Sequence, residues 1–142
     1  PNAVAVGPDG PYYVAQLTGF PFPLHGAGVF RAEPGQEPQL YASGLTNLID
    51  MAFDAQGNLY VLEFRKNSLL SEDTAGDLIR ITPNGQQERL IESGLTSPTG
   101  LAIGPDGLLY ICNNGVQAGQ GEVIQIDPAS LPASSSPGWN AY

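Results

Sequence analysis

Apolar residues come in short bursts along this chain, and the bursts recur. In the stretch from Leu48 to Thr99 they fall at 51–53, 59–62, 78–81 and 89–91, with Gly, Asn, Asp or Pro between them. Short apolar runs bounded by turn formers predict β-strands joined by tight turns. Four such strands make one unit, broken after its second strand by a polar insert from Phe64 to Gly76. The insert has no sustained hydrophobic period and predicts a loop.

The unit repeats. In the first copy, Ala3–Val6, Pro11–Ala15, Val29–Ala32 and Gln39–Ala42 are the strand candidates, with an insert from Gly19 to Ala27. In the third copy they are Pro98–Ile103, Leu108–Cys112 and Glu122–Ile126, and no fourth run follows. Gly10, Gly57 and Gly107 occupy one turn, 47 and 50 residues apart, and Ser43-Gly-Leu-Thr46 returns as Ser93-Gly-Leu-Thr96. Tyr13, Tyr60 and Tyr110 share a position in the second strand, where a ring fills the space between units. Ala5, Ala52 and Ala102 sit midway in the innermost strands, where the units converge. A four-stranded unit repeated in this way predicts an all-β fold built of propeller blades. The boundaries read as blade 1–47, blade 48–97, partial blade 98–128 and tail 129–142.

Propellers close with about four to eight blades. Three blades on their own leave two apolar sheet faces in water, which is costly at roughly 25 cal/mol per Å². The expectation is therefore half of a six-bladed ring, completed by a second three-blade segment. That segment is either another copy of the chain or the missing half of a longer polypeptide. A compact three-sheet domain unrelated to closed rings is the alternative.

Composition narrows the partners. Five Lys plus Arg against fourteen Asp plus Glu give a net charge of −9, which repels phosphate backbones and anionic membranes. Nucleic acid is excluded on this ground. A cation, a sugar or a small aromatic ligand stays open. No run is long and apolar enough to span a bilayer. Cys112 is the one cysteine, so there is no intrachain disulfide and no cysteine-based zinc site. Its setting in Tyr110-Ile-Cys-Asn113 reads as a buried strand position. No signal peptide is visible, and a start at Pro1 suggests a processed or trimmed chain.

The pattern Pro98-Thr-Gly-Leu-Ala-Ile-Gly-Pro-Asp-Gly-Leu-Leu-Tyr-Ile111 resembles an NHL-type β-propeller. The run Val6–Pro23 with Gly26–Arg31, and Asn47–Glu63, resemble the ScyD/ScyE family, specifically its carboxy-terminal half. The resemblance covers residues 1 to about 128. It implies an exported protein of the periplasm or cell exterior, associated with production of the cyanobacterial pigment scytonemin, and it carries over no catalytic residue.

Candidate chemistry gathers where the second strands end. Gln16, Glu63 and Asn113 share that position in the three units, and Asn114 follows the last. Asp50 precedes an innermost strand, where its repeat neighbours are Ala3 and Gly100. Asp50 and Glu63 are the candidate metal ligands, in a calcium-type oxygen site with Asn113 and Asn114 nearby. The competing readings are turn capping with a hydrated channel, and acid–base work by a carboxylate pair. The first insert carries Phe20, Phe22 and His25 among prolines. It reads either as a platform for an aromatic or sugar ligand or as a loop pinned by its own rings. A lone histidine makes a poor transition-metal site. No Ser-His-Asp arrangement or phosphate loop is present, because Gly7-Pro-Asp-Gly10 is a hairpin turn. An exported, non-catalytic binding or scaffold module is the leading expectation. The alternatives are a metal-assisted lactonase, hydrolase or lyase of propeller fold, and a purely structural half-propeller.

Overall fold

The computed structural model describes residues 1–131. Strands β1 (Ala3–Val6), β2 (Tyr12–Ala15), β3 (Ala27–Ala32) and β4 (Gln39–Leu45) form the first sheet, paired antiparallel in chain order. The second sheet repeats this with β5 (Leu48–Phe53), β6 (Leu59–Glu63), β7 (Asp77–Ile81) and β8 (Gln87–Ile91). The third holds β9 (Gly100–Ile103), β10 (Leu109–Asn113) and β11 (Glu122–Ile126), and a short 3-10 turn at Pro128–Ser130 follows. It has no fourth strand among the described residues. The expected patternless tail falls mostly at 132–142, outside them.

The hairpins between first and second strands are one structure made three times. Gly10, Gly57 and Gly107 have φ of +101°, +82° and +80°. Their N–H groups donate to the carbonyls of Gly7, Asp54 and Gly104. Only a residue without Cβ takes this backbone at little cost. The innermost strands are neighbours, β1 beside β5 and β5 beside β9, so the sheets stand side by side about a common axis.

The core lies between sheets. One cluster joins Tyr13, Ala15, Val29 and Ala42 of the first sheet to Met51, Leu59, Val61, Ile79 and Ile81 of the second. Tyr13 meets Phe53 and Tyr41 edge to face at 4.8 and 4.9 Å. The other cluster joins Tyr60, Leu62 and Leu78 to Leu101, Leu109 and Ile111 of the third sheet. The second sheet is thus covered on both faces, which explains why all of β6 is buried and why polar alternation is blurred there.

Among the described residues, nothing covers the outer face of the first or the third sheet. Val4, Val6 and Leu40 are 64%, 63% and 59% exposed on the first sheet, and Val123 is 68% exposed on the third. Cys112 is exposed, contrary to the buried position expected from its apolar neighbours. It points from β10 to the side where, among the described residues, no further sheet stands. The molecule is an open, all-β arrangement of three antiparallel sheets, consistent with about half of a six-bladed β-propeller.

Candidate functional site

Second strands leave their sheets, and the chain crosses from one sheet to the next, at one end of the molecule. The loops there are 16–26, 64–76 and 114–121, and the crossings are 46–47 and 92–99. Among the described residues, every non-glycine with positive φ lies in these segments: Thr18, Phe22, His25, Asn47, Ser68, Ser97 and Asn114. Such backbone costs about 1–3 kcal/mol per residue and persists only where the surroundings hold it.

Asn47 is the chief holder. Fully buried, it donates from Nδ2 to the Leu17 carbonyl at 2.8 Å and to Thr18 Oγ1 at 3.3 Å, and its Oδ1 accepts from Leu69 N at 2.9 Å. Ser68 Oγ donates to the Phe22 carbonyl at 2.6 Å. Two loops that are 40–50 residues apart in sequence are thereby locked into one rim. Arg65 extends the lock. It lies over the Phe64 ring at 4.5 Å and donates to Ser97 Oγ at 2.6 Å, so it is built into the structure rather than solvated.

The first loop walls a cavity of about 670 Å³ lined by Asn2, Gln16, Thr18, Phe20, Pro21 and Pro23, among others. Gln16 is half-buried at its base. Phe20 is 82% exposed and stands edge-on to Phe22 at 6.4 Å. The structure brings Gln16 and Phe20 together. His25 does not join them as a lining residue. It lies exposed on the far side of the loop, its N–H donating to Thr46 Oγ1 at 3.1 Å and its Nδ1 3.1 Å from the Gly44 carbonyl.

Glu63 and Asn113 do the same job in successive sheets. Glu63 Oε1 accepts from Thr46 N at 2.7 Å, and Asn113 Oδ1 accepts from Thr96 N at 2.7 Å; each acceptor is 17 residues beyond its donor. Both side chains pin the crossing that enters their own sheet. Asn113 also donates to Glu122 Oε1 at 2.9 Å, and Asn114 donates to the same oxygen at 3.2 Å.

In the second sheet the corresponding partner of Glu63 is Asp77, so two carboxylates face each other across β6 and β7. Arg89 pairs with Asp77 and lies 3.6 Å from Glu63 Oε2, an ion-pair distance too long for a hydrogen bond. Glu63 Oε2 and Asp77 Oδ1 are buried and accept no hydrogen bond among the described residues. Burial pushes the Glu63 carboxyl from 4.5 up to about 7, against the downward pull of the Thr46 N–H and the Arg89 charge.

Asp50 is committed elsewhere. Its Oδ2 accepts from Leu101 N at 2.8 Å, bridging innermost strands β5 and β9, and its Oδ1 accepts from Met51 N at 2.9 Å. A calcium-type site needs about six to eight oxygen ligands. Among the described residues no group of three or more His, Cys, Asp or Glu is placed to hold a metal. Asp50 spends both oxygens on backbone N–H groups and Glu63 spends one, while its other faces Arg89, so these two carboxylates do not converge on one calcium ion.

Asn2, Thr18 and Asn47 were not among the residues singled out from the sequence. The signal for Asn47 was its place beside the repeated Ser-Gly-Leu-Thr. What that tetrapeptide could not show is that its Thr N–H is the group the strand-end side chains receive.

No protein-family model matches the chain. It is 29% identical to a gluconolactonase of Zymomonas mobilis over 140 residues, covering 94% of this chain and 39% of that protein. A crystal structure of a protein proposed to be a gluconolactonase superposes with a TM-score of 0.62 at 19% identity, over 87% of this chain and 47% of that one. A catalytically inactive virginiamycin B lyase from Staphylococcus aureus, solved with quinupristin, gives 0.57 at 16% identity, over 96% and 43%. The chain spans well under two thirds of each. These neighbours overturn the assignment to NHL-type and ScyD/ScyE proteins, and the cyanobacterial pigment setting goes with it. The Gly-Pro-Asp-Gly hairpin and its flanking strands carried that resemblance, and they mark a blade rather than a family. By fold, this chain is a three-sheet β-propeller segment that superposes on a little under half of each of these two structures.

Proposed function

We propose that the chain supplies three blades of a lactone-opening β-propeller enzyme, with a lyase as the second reading. The likeness to the Zymomonas mobilis gluconolactonase along 94% of the chain carries this reading, and it favours catalysis over the non-catalytic scaffold expected from the sequence. The 670 Å³ cavity supports it. Asn2 and Gln16 offer amide groups to the oxygens of a small polar ring, and Phe20 offers an apolar wall. Glu63 is no base for such a substrate, being fully buried with its carboxylate turned to Thr46 and Arg89. The reacting groups come from the rest of the ring, a second three-blade segment of the same chain type or the missing half.

The test is titration of acid released from a sugar lactone at constant pH by the purified protein in its assembled state. Turnover above the spontaneous rate is expected, with KM raised and folding unchanged in Phe20→Ala. No turnover of any lactone would overturn the reading. Solvent oxygen labelling then separates the two chemistries, since hydrolysis places one water oxygen in the product and a lyase places none.

A further inference from the structure

The loop that walls the 670 Å³ cavity has little holding of its own at its tip. Residues 19–24 carry Phe20 and Phe22, and their backbone bonds are local. Phe22 N donates to the Gly19 carbonyl at 2.7 Å, and Gly26 N closes the next turn on the Pro23 carbonyl at 3.2 Å. Pro21 and Pro23 bring no N–H. Phe20 and Leu24 are exposed, so burial adds little. Among the described residues, the tip makes one hydrogen bond beyond its own loop: the Phe22 carbonyl accepts from Ser68 Oγ at 2.6 Å.

Ser68 is itself firmly held. It is buried at φ +75°, a backbone kept only where its surroundings enforce it. Its carbonyl accepts from Ser71 N at 3.1 Å, and its neighbour Leu69 donates to Asn47 Oδ1 at 2.9 Å. The other end of the same loop is fastened to the crossing into the third sheet. There Ser97 N donates to the Thr74 carbonyl at 2.9 Å, Gly76 N donates to the Leu95 carbonyl at 3.0 Å, and Arg65 donates to Ser97 Oγ. The 64–76 loop is therefore a strap, running from that crossing past Asn47 to the tip of the first loop. We infer that Ser68 is a positioning residue for the cavity: it does not line the space, but its bond to Phe22 sets where the wall bearing Phe20 stands. With the bond in place, wall and strap open together; without it, the wall opens alone. The coupling of the two loops stands on these contacts, while its consequence for a substrate rests on the lactone reading.

The test is amide hydrogen exchange of the purified protein in its assembled state, read at Phe22 and Gly26. The variants are Ser68→Ala, Ser68→Gly and, as a control, Glu72→Ala, an exposed position on the same loop. Ser68→Gly suits the positive φ, so it removes the bond while easing the backbone. A neutral hydrogen bond corresponds to a factor of about two to ten, and exchange at Phe22 and Gly26 should quicken by that factor in both Ser68 variants. The amides of Tyr60 and Val61 in the core should keep their rates, and Glu72→Ala should change nothing at Phe22. With a sugar lactone, the KM of both Ser68 variants should rise by a similar factor, with kcat within about two-fold of the unaltered protein. Unchanged exchange at Phe22 in both Ser68 variants would overturn the inference, as would an equal rise throughout the sheets. Quickened exchange with an unmoved KM would overturn the positioning role and leave Ser68 a structural tether. If the unaltered protein opens no lactone, the enzymatic reading falls, and exchange at Phe22 still decides whether Ser68 sets the wall.

Discussion

Replacing Glu63 by Gln tests the buried carboxylate pair directly. The third sheet already contains the analogous arrangement, where the Asn113 amide accepts from Thr96 N and donates to Glu122. A Gln at 63 keeps the acceptor for Thr46 N and brings an N–H₂ toward Asp77 Oδ1, which accepts nothing in the present arrangement. Arg89 retains Asp77 as its partner. The Glu63 carboxyl binds its proton more tightly in the folded chain (about 7) than in the unfolded one (4.5). Stability is therefore highest below the unfolded value, falls as pH rises through the interval, and stays low above it. The difference corresponds to roughly 3 kcal/mol withheld above pH 7, at about 1.4 kcal/mol per tenfold change in proton affinity. Allowing for the weakened ion pair with Arg89, Glu63→Gln should stabilise the protein by about 1–3 kcal/mol at pH 8 and by almost nothing at pH 4. Urea unfolding at the two pH values reads this, as does a rise of roughly 3–10 °C in Tm at pH 8. A variant that is less stable at pH 8, or whose stability varies with pH in parallel with the unaltered protein, would refute the reasoning.

Three further outcomes follow from the same geometry. Asp50→Ala removes the acceptor for Leu101 N between the innermost strands and should cost about 1–3 kcal/mol in urea unfolding, while Asp50→Asn should recover most of it. Asn47→Ala unties both loops and puts a less tolerant residue at φ +43°. It should cost about 2–4 kcal/mol and raise amide exchange at Leu69 before the sheets are affected. Millimolar calcium or a chelator should leave Tm unchanged, because Asp50 is committed to two backbone N–H groups and Glu63 is turned to Thr46 and Arg89, with no third ligand grouped beside them among the described residues; a rise in Tm with calcium would show ligands these assignments lack.

The strands, the three hairpins and the repeat register were legible in the chain because each is a local matter. A glycine at positive φ and a run of apolar residues between turn formers state their own structure within a few positions. The incompleteness of the ring was legible as well, since it follows from counting units. The family was not legible, because hairpin and strand chemistry is common to blades of any origin. The roles of the strand-end residues were also hidden. Gln16, Glu63 and Asn113 share one position, yet Gln16 lines a cavity while Glu63 and Asn113 each pin a crossing, Glu63 as part of a buried ion cluster. What separates them is the partner across the sheet, near Gly28, at Asp77 or at Glu122, and whether another sheet covers the spot. Cys112 makes the same point, with a buried residue's neighbours and an exposed side chain.

Local pattern alone determined that this chain forms blades, since backbone conformation and short-range burial are settled within each unit. Only the tertiary arrangement decided which carboxylates are spent on N–H groups, which loops join into a rim and which faces stay bare. Those outcomes depend on side chains brought together from tens of residues apart, and desolvation and pairing are set by the company each group ends up keeping.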